Sequence, residues 1–397
     1  MDLGDISRFQ HRLQQAKTLV EDSQCEKAVV FHHDEADGLT AAALAKAAID
    51  SLGLESELIC LDKLYPEVVM EVEARRGLVV VYVDLGSGHV DWLTKHNQAG
   101  SLVIVLDHHD TTESPDPLVL NLNPELDGFS GEKEASSATV AYMFAKTIDD
   151  RLSKYAHLGL IGAEEVPGEV QGLNAMVAKD AVEKGLAQKT SRGDYKIVAG
   201  HVSLGRSRVA TILNVLGSVG YYREGPRIGV DACVNGFEEE AIMLAESFEA
   251  ERKEANRKML ASIRETGLSQ MKMVQWFHAH DNYKGMSGKV AGSFCSYLRY
   301  QRGVNPVKYL IGMMNVPPEI PGWSKLPSPL VKVSARAPQL LVAMIENGSR
   351  PPLSRILPDA CARIGGFGDG HSVAASGVFP VGRENGFLGE IDRLASC

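Results

Sequence analysis

Short apolar runs, separated by stretches with helical patterning, organise the first 110 residues of the chain. Residues 28–31, 56–61, 77–86 and 101–110 contain runs rich in Val, Ile and Leu. Such runs are typical of buried parallel strands, and residues 39–53 between the first two have the composition of a helix. Strands that alternate with helices predict a doubly wound parallel sheet, and hence the α/β fold class.

Beyond this region the pattern changes twice. Residues 136–152 predict a helix, and residues 157–166 form an apolar segment that ends in carboxylates. A long charged helix is predicted from residue 238 to about 268, after which strand and helix patterns restart. We therefore predict an N-terminal parallel-sheet domain (1–235, with a variable region at 168–235), a connecting helix (236–268) and a smaller α/β domain (269–397).

The net charge of −10 is unevenly distributed along the chain. Residues 270–397 carry 14 Lys+Arg and 8 Asp+Glu, a net charge of +6, whereas residues 1–269 carry −16. Clustered carboxylates in the acidic part can hold cations, and the basic part can hold phosphates.

The cysteines and the apolar runs indicate the class of protein. The six cysteines are widely spaced with no CxxC pair, which argues against a zinc ribbon or a disulfide scaffold and predicts a cytoplasmic protein. No apolar run approaches the roughly 20 residues that a membrane-spanning helix needs, so we expect no membrane association.

Acidic residues or histidines follow three of the predicted strands at the point where each strand ends. They are Asp34, Glu35 and Asp37 after the first, Asp84 after the third, and Asp107, His108 and His109 after the fourth. The carboxyl ends of parallel strands meet at one edge of a sheet, where functional groups gather. The sequence therefore predicts a single site built from these residues.

The predicted ligand set suits a hard or borderline divalent cation. Carboxylate oxygens and imidazole nitrogens without thiolate favour Mn²⁺ or Mg²⁺ over zinc. Two such ions can activate a bridging water and clamp a phosphate. If the backbone is extended at His108 and His109, their side chains point in opposite directions, one to metal and the other to substrate.

The order of these groups resembles the DHH phosphoesterase superfamily, which is named after its Asp-His-His motif. His33, Asp37 and Gly38 match the first motif of that family, and Asp84 matches the second. The sequence Asp107-His108-His109 matches the third. The C-terminal block resembles the GGGHxxAAG signature of the DHH-associated substrate-binding domain, at Gly370-His371 and Ala374-Ala375-Ser376-Gly377, preceded by Ser334-Ala335-Arg336.

The resemblance implies an archaeal RecJ-like exonuclease that cleaves single-stranded DNA or RNA with two Mn²⁺ or Mg²⁺ ions. The implied metal ligands are His33, Glu35, Asp37, Asp84, Asp107, His108 and Glu165. The implied catalytic residues are Asp107, His108 and His109. Substrate would contact His109, Ser334, Arg336, Gly370 and His371. Closely spaced glycines would let backbone amides approach a phosphate.

Two departures from the family pattern keep other functions open. Glu35 stands where the first motif usually has Asp, and Val166 stands where a later motif has Asp, so that Glu165 would have to substitute. One alternative is a phosphoesterase for oligonucleotides or cyclic dinucleotides. The other is a catalytically weakened scaffold that binds a helicase or a replication or repair protein.

A further candidate for base stacking lies in the variable region. Tyr221 and Tyr222 are adjacent and are followed by Arg223, a combination that could stack on nucleobases. Tyrosines beside a Gly-Pro turn more often pack internally, and that interpretation is the alternative.

Overall fold

The computed structural model describes residues 5–199 and 202–396. The chain forms two compact units. Unit 1 comprises Met1–Gly217, Glu224–Glu246 and Pro321–Ser324, and unit 2 comprises Ser218–Arg223, Ser247–Ile320 and Lys325–Cys397. The domain boundaries predicted at residues 235 and 268 stay predictions.

Unit 1 is built on a five-stranded parallel sheet, as the sequence predicts. Its strands are β1 (Lys27–His33), β2 (Glu55–Leu61), β3 (Leu78–Val83), β4 (Leu102–Leu106) and β5 (Val119–Leu122), in the spatial order β2-β1-β3-β4-β5. Every pairing in this sheet is parallel. Residues 79–83 and 102–106 are buried throughout, because helices cover both faces of the sheet.

The helices of unit 1 alternate with these strands and continue beyond them. They are α1 (Ile6–Asp22), α2 (Ala36–Ser51), α3 (Pro66–Glu73), α4 (Val90–His96), α5 (Ser137–Ile148), α6 (Ala156–Gly162), α7 (Gly172–Glu183), α8 (Arg206–Asn214) and α9 (Gly225–Asn235). Helix α2 is rich in alanine and is buried on nearly every side, so small side chains allow α5 and α6 to pack closely against it.

The variable region predicted at 168–235 has regular structure that the sequence pattern does not indicate. Strands β6 (Ala187–Lys189), β7 (Tyr195–Ala199) and β8 (Val202–Gly205) form a small antiparallel sheet in the order β6-β7-β8. These strands are only three to five residues long, which is too short to show a clear hydrophobic periodicity. Helix α10 (Glu239–Thr266) follows, close to the predicted bounds of the long charged helix.

Unit 2 contains a six-stranded mixed sheet. Its strands are β9 (Ser269–Gln270), β10 (Val274–His278), β11 (Tyr309–Val316), β12 (Leu330–Arg336), β13 (Phe367–His371) and β14 (Ala374–Pro380), in the order β13-β14-β12-β11-β10-β9. Strands β10 and β11 are parallel and the other pairs are antiparallel. The helices are α11 (Lys289–Leu298), α12 (Gln339–Glu346), α13 (Leu353–Arg363) and α14 (Glu384–Leu394).

The glycine-rich block at the end of unit 2 is a pair of antiparallel strands, β13 and β14. A Cβ on Gly368 would stand 2.8 Å from a methyl carbon of Leu357, and one on Gly377 would stand 2.7 Å from the Cys361 sulfur. These two glycines therefore let α13 pack directly on the strands. Packing against α13 accounts for glycine at these two positions. The sequence pattern alone does not distinguish this role from phosphate binding.

A buried carboxyl group, Glu73, lies on α3 away from the strand ends. The hydroxyl of Tyr82 on β3 donates a hydrogen bond to its Oε1 at 3.0 Å. Its other oxygen, Oε2, has no hydrogen-bond partner among the described residues. Burial raises the pKa of Glu73 to about 7, although the bond from Tyr82 opposes the shift.

Replacement of Glu73 by Gln is expected to stabilise unit 1 above neutral pH. The raised pKa means that the folded chain holds this proton while the unfolded chain releases it, so stability falls as pH rises from about 4.5 to about 7. At pH 8 the cost of the ionised group is about 3 kcal/mol. Thermal unfolding across pH 4–8 measures the effect. E67Q, at an exposed position on the same helix, is the control. Parallel pH curves for E73Q and the wild type would contradict the expectation.

Among the described residues no cysteine forms a disulfide bond, and Cys60, Cys233, Cys295 and Cys361 are buried. Cys397, the sixth cysteine, lies outside the described residues. Within residues 5–199 and 202–396, no helix combines the length and the hydropathy needed to cross a bilayer.

Candidate metal centre

The strand order of unit 1 brings the predicted site residues to one edge of the sheet. Strand β1 lies between β2 and β3, and β4 follows β3, so the ends of β1, β3 and β4 are adjacent. Asp84 directly follows β3 and Asp107 directly follows β4. Asp37 lies in the first turn of α2, four residues after β1 ends. These positions place the three carboxylates at the same edge of the sheet.

Three carboxylates of this site are buried, with Asp37, Asp84 and Asp107 exposing 2%, 5% and 1% of their surface. His108 faces two of them, because its Nε2 lies 3.6 Å from Asp37 Oδ2 and 3.9 Å from Asp84 Oδ1. His33 Nδ1 lies 3.4 Å from Asp84 Oδ2. Burying several carboxylates together is costly unless cations compensate them.

The start of α5 supplies donors to the same carboxylates. The backbone amides of Ser137 and Ala138 donate to Asp37 at 2.8 and 2.7 Å, and the hydroxyl of Ser137 donates to Asp84 Oδ1 at 2.8 Å. The positive end of the helix dipole therefore points into the cluster. Ser136 caps this helix, and a Ser-Ser-Ala-Thr sequence before an apolar run is the signal from which the donors could have been found.

Asp107 is held by a loop that follows β3. The backbone amide of Ser87 donates to Asp107 Oδ2 at 3.0 Å, and the amide of His108 donates to Oδ1 at 2.8 Å. Ser87 is itself fixed by Asn121 and Asn123 through its hydroxyl. Burial would raise the pKa of Asp107, but the charge and hydrogen bond of His109 hold that pKa well below its usual range.

His108 and His109 lie side by side, with ring centroids 4.4 Å apart. The opposite side-chain directions expected for an extended backbone at these two positions stay a prediction. His109 Nδ1 lies 2.7 Å from Asp107 Oδ1. Burial alone would lower the pKa of His109, but the charge of Asp107 and the bond to it raise that pKa to about 10.

The orientation of His108 is set by a residue that the sequence did not single out. Its Nδ1 lies 2.7 Å from the carbonyl oxygen of Gly131, which accepts only if Nδ1 carries the proton. The lone pair of Nε2 then faces the carboxylates. Such an outer partner fixes both the tautomer and the ring direction of a metal-binding histidine.

These contacts fit a divalent cation. Single ligand atoms of Asp84, His108 and His109 lie within 4.8 Å of one another, so both imidazoles lie beside this carboxylate. Asp84 has a left-handed backbone (φ 60°), a strained conformation that is frequent at functional sites. Oxygen and imidazole donors together match the predicted preference for Mn²⁺ or Mg²⁺.

The two variant carboxylates occupy different surroundings. Glu35 Oε2 lies 3.5 Å from His33 Nδ1, beside the cluster. Glu165 is exposed, and its Oε1 accepts a hydrogen bond at 2.7 Å from Asn214, whose own oxygen accepts from the amide of Ala36. Glu165 thus contacts the start of α2 through Asn214. Its role as a metal ligand stays a prediction, as does that of Glu35.

Three of the predicted substrate residues of unit 2, Ser334, Arg336 and His371, lie on one face of its sheet. Ser334 and Arg336 are two positions apart on β12, so their side chains lie on the same face. Ala374 of β14 pairs with Arg336 on one side and with His371 of β13 on the other. His371 therefore lies in the same cross-strand row as Arg336, and Gly370 precedes it. Arg336 Nε donates to Ser296 of α11 at 2.9 Å. Lys332, two residues before Ser334 and 4% exposed, adds a second cation that the sequence analysis missed.

The tyrosine pair of the variable region packs internally. Tyr221 is 2% exposed and its ring meets Tyr222 edge-on, with centroids 4.9 Å apart. Arg223 forms an ion pair with Glu251 at 2.9 Å and lies over the ring of Phe248. The packing interpretation therefore accounts for Tyr221.

Comparisons with known proteins find a family match for the N-terminal part of the chain. Residues 27–163 match the model of the DHH family, N-terminal domain. The chain is 26% identical over 162 residues to an uncharacterised protein of Methanocaldococcus jannaschii. That alignment covers 39% of this chain and 36% of the archaeal protein.

Solved structures resemble nearly the whole chain. RecJ in complex with Mn²⁺ from Thermus thermophilus gives a TM-score of 0.64 at 17% identity, covering 97% of this chain and 55% of RecJ. An exonuclease RecJ bound to manganese gives 0.63 at 18%, covering 97% and 94%. CDC45 from Entamoeba histolytica gives 0.56 at 9%, covering 98% and 99%. At these identities the likeness establishes the fold.

Proposed function

We propose that the protein is a metal-dependent phosphodiester hydrolase that degrades single-stranded nucleic acid. Residues 27–163 match the N-terminal domain of the DHH family, and the fold resembles that of RecJ, which supports the proposal. One observation carries the proposal. Asp37, Asp84 and Asp107 are buried beside His33 and His108 at the carboxyl edge of the sheet. Buried carboxylates need cations to compensate their charge. This set of ligands suits the divalent cations that activate water for attack on a phosphate.

The proposed ligands are His33, Asp37, Asp84, Asp107 and His108, with Glu35 and Glu165 as weaker candidates. When bound, two Mn²⁺ or Mg²⁺ ions supply an activated water and neutralise charge that develops on the phosphate. Ser137 and Ser87 hold Asp84 and Asp107 in place through hydrogen bonds. Gly131 keeps the lone pair of His108 Nε2 directed at the cluster.

His109 is the proposed contact to the scissile phosphate. Its side chain is 47% exposed, whereas its Nδ1 is held by the buried Asp107. The bond to Asp107 thus fixes the orientation of a partly exposed ring, whose Nε2 is the proposed contact to a phosphate oxygen. In unit 2, Ser334, Arg336, Gly370 and His371 are the proposed substrate contacts, with Lys332 adding positive charge to β12.

Labelled single strands test this activity. The purified protein is incubated with Mn²⁺ and end-labelled single-stranded DNA and RNA, and the matching duplexes serve as controls. Stepwise shortening of a single strand, with the duplex untouched, is the expected result. Products from labels at each end give the polarity. Cleavage of dinucleotides alone would instead favour the oligonucleotide or cyclic-dinucleotide alternative.

Metal removal has a predictable effect on stability. The buried carboxylates repel one another without cations, so Mn²⁺ binding to the folded chain should raise the unfolding temperature, and EDTA should reverse the rise. Calorimetric titration is expected to give two Mn²⁺ per chain. D84N should weaken binding, whereas the exposed change D91N should not. No heat of binding at millimolar Mn²⁺ would count against a hydrolase.

A second candidate function is a scaffold that binds a helicase or another replication or repair protein. The contact of Glu165 with Asn214 favours it, since that carboxylate is engaged outside the cluster. The likeness to CDC45 in fold is compatible with it. The scaffold proposal predicts that strand cleavage is absent while the protein captures a defined partner.

A further inference from the structure

The start of helix α2 depends on a residue from a distant helix of the same unit. Asp37, a proposed metal ligand, lies in the first turn of α2. Among the described residues, the side chain of Glu35 caps no amide of this helix, although Glu35 directly precedes it. The first backbone amide, that of Ala36, instead donates to Oδ1 of Asn214 at 2.7 Å. Asn214 therefore supplies the acceptor that a capping side chain usually provides at a helix N-terminus.

The side-chain amide of Asn214 is bonded through both of its polar atoms. Its Nδ2 donates to Oε1 of Glu165 at 2.7 Å, while its Oδ1 accepts from Ala36. A carboxylate only accepts and a backbone amide only donates, so a single orientation of the Asn214 amide satisfies both partners. Aspartate at this position would accept from Ala36 but would have no hydrogen to donate to Glu165. The two partners together therefore specify asparagine.

Helix α8, which ends at Asn214, also contacts the residue next to Glu165 at its other end. Nε of Arg206 lies 2.7 Å from Oε2 of Glu164, and the hydroxyl of Ser207 donates to Oε1 of the same carboxylate. Arg206 and Ser207 are the first two residues of α8. Both ends of the helix are therefore bonded to the two carboxylates that follow α6, and Asn214 is held in place by its own helix.

The backbone that follows α8 lies directly against the connection between β1 and α2. A Cβ on Gly217 would stand 2.0 Å from the carbonyl oxygen of Asp34. Gly217 is three positions after Asn214, so this close approach places the end of α8 beside the residues that lead into α2. Backbone packing at Gly217 and the hydrogen bond from Ala36 thus fix the same short segment, which ends at Asp37.

We infer that Asn214 is a positioning residue of the metal centre, which fixes the start of α2 and with it Asp37. Glu165 then acts on the centre through Asn214 and does not ligate the metal itself. This inference rests on the proposed function and deepens it, because it gives an exposed carboxylate outside the cluster a defined part in metal binding. A residue that orients a ligand from outside changes the affinity for the metal without contacting the ion.

Calorimetric titration of the full chain with Mn²⁺ tests the inference. N214A removes both hydrogen bonds and is expected to raise the Kd for Mn²⁺ about 10–100-fold, the usual effect of losing an outer partner of a metal ligand. E165Q keeps an oxygen that accepts from Asn214 and should bind Mn²⁺ like the wild type. N235A is the matched control, because Asn235 is the exposed last residue of α9, and it should also bind like the wild type.

Reversing the polarity of one hydrogen bond separates positioning from a general loss of stability. N214D keeps the acceptor for Ala36 but places two carboxylates in contact, so its Mn²⁺ binding is expected to weaken. In N214D/E165Q the new amide at 165 donates to the new carboxylate at 214, and the net charge equals that of the wild type. This double variant is expected to recover most of the affinity for Mn²⁺. If N214A does not fold, the comparison of N214D with N214D/E165Q decides the inference.

Amide hydrogen–deuterium exchange in EDTA gives a readout that needs neither metal nor activity. The first turn of α2 is expected to exchange faster in N214A than in the wild type, because the amide of Ala36 loses its acceptor. Helix α3 of the same unit should exchange equally in both. Exchange that rises equally in α2 and α3 would show a general loss of stability and overturn the inference.

Three further results would also overturn the inference. They are a folded N214A with the wild-type Kd for Mn²⁺, an E165Q that loses as much affinity as N214A, and an N214D/E165Q that recovers none. A wild type that binds no Mn²⁺ contradicts the proposed function, and the exchange measurement in EDTA then decides the inference by itself. A wild type that binds Mn²⁺ and shows the expected variant effects but cleaves no strand supports the inference and contradicts the proposed function.

Discussion

Asp107→Asn is expected to lower the rate of phosphodiester hydrolysis by at least about a thousandfold. The substitution keeps the shape of the side chain but removes its charge. It also places an amide NH₂ among groups that all donate, because the amides of Ser87 and His108 and the ring of His109 each donate to this carboxylate. The loss therefore affects metal binding and the orientation of His109 together.

Initial rates on a labelled single strand with saturating Mn²⁺ measure the effect. Circular dichroism shows whether D107N is folded, which separates a loss of chemistry from a loss of structure. D91N removes an exposed carboxylate from α4 of the same unit and should retain the wild-type rate. A folded D107N that cleaves at the wild-type rate would exclude this cluster as the catalytic centre.

Gly131→Ala is expected to lower the rate about a hundredfold and to destabilise unit 1. A Cβ at this position would stand 1.8 Å from the carbonyl oxygen of His108, so the backbone at one or both residues has to move. The Gly131 carbonyl then leaves His108 Nδ1, and Nε2 is no longer directed at Asp37 and Asp84. The expected stability loss is about 1–3 kcal/mol, the usual cost of overpacking.

Rates and unfolding curves measured on the same preparation test this expectation. G205A is the matched control, because a Cβ on Gly205 meets nothing within 4 Å and its backbone has a negative φ of −60°. Added Mn²⁺ should rescue part of the stability of G131A but little of its rate. If G131A and G205A behave alike, the carbonyl of Gly131 has no part in orienting His108.

The parallel sheet and the convergence of its strand ends could be predicted because both depend on short-range patterns. A fully buried strand requires a continuous apolar run, and a parallel sheet places all strand ends at one edge. Asp84 and Asp107 could therefore be assigned to one site from their positions after β3 and β4. Strand β5 was missed because its four residues, Val119–Leu122, include the polar Asn121.

The parts that could not be predicted depend on contacts between distant segments. Gly131 and His108 are 23 positions apart, and Ser137 and Asp37 are 100 apart. Hydrophobic periodicity reflects local structure only, so it does not predict such a contact. Two adjacent histidine letters likewise do not specify that the His108 and His109 rings lie 4.4 Å apart.

The surroundings of Asp37 have a consequence for how this chain can diverge. A Cβ on Gly162, at the end of α6, would stand 2.4 Å from Asp37 Oδ1 and 2.4 Å from Ala138 Cβ. A larger residue at 162 therefore cannot arise while the carboxylate keeps its place, and an Asp37 replaced by a smaller residue would relax that restriction. Among descendants of this sequence, we expect Gly162 to be retained wherever Asp37 is retained. Once Asp37 is lost, we expect other residues to replace Gly162. Residues 37 and 162 together would then distinguish lineages that retain the metal centre from lineages that retain only the fold.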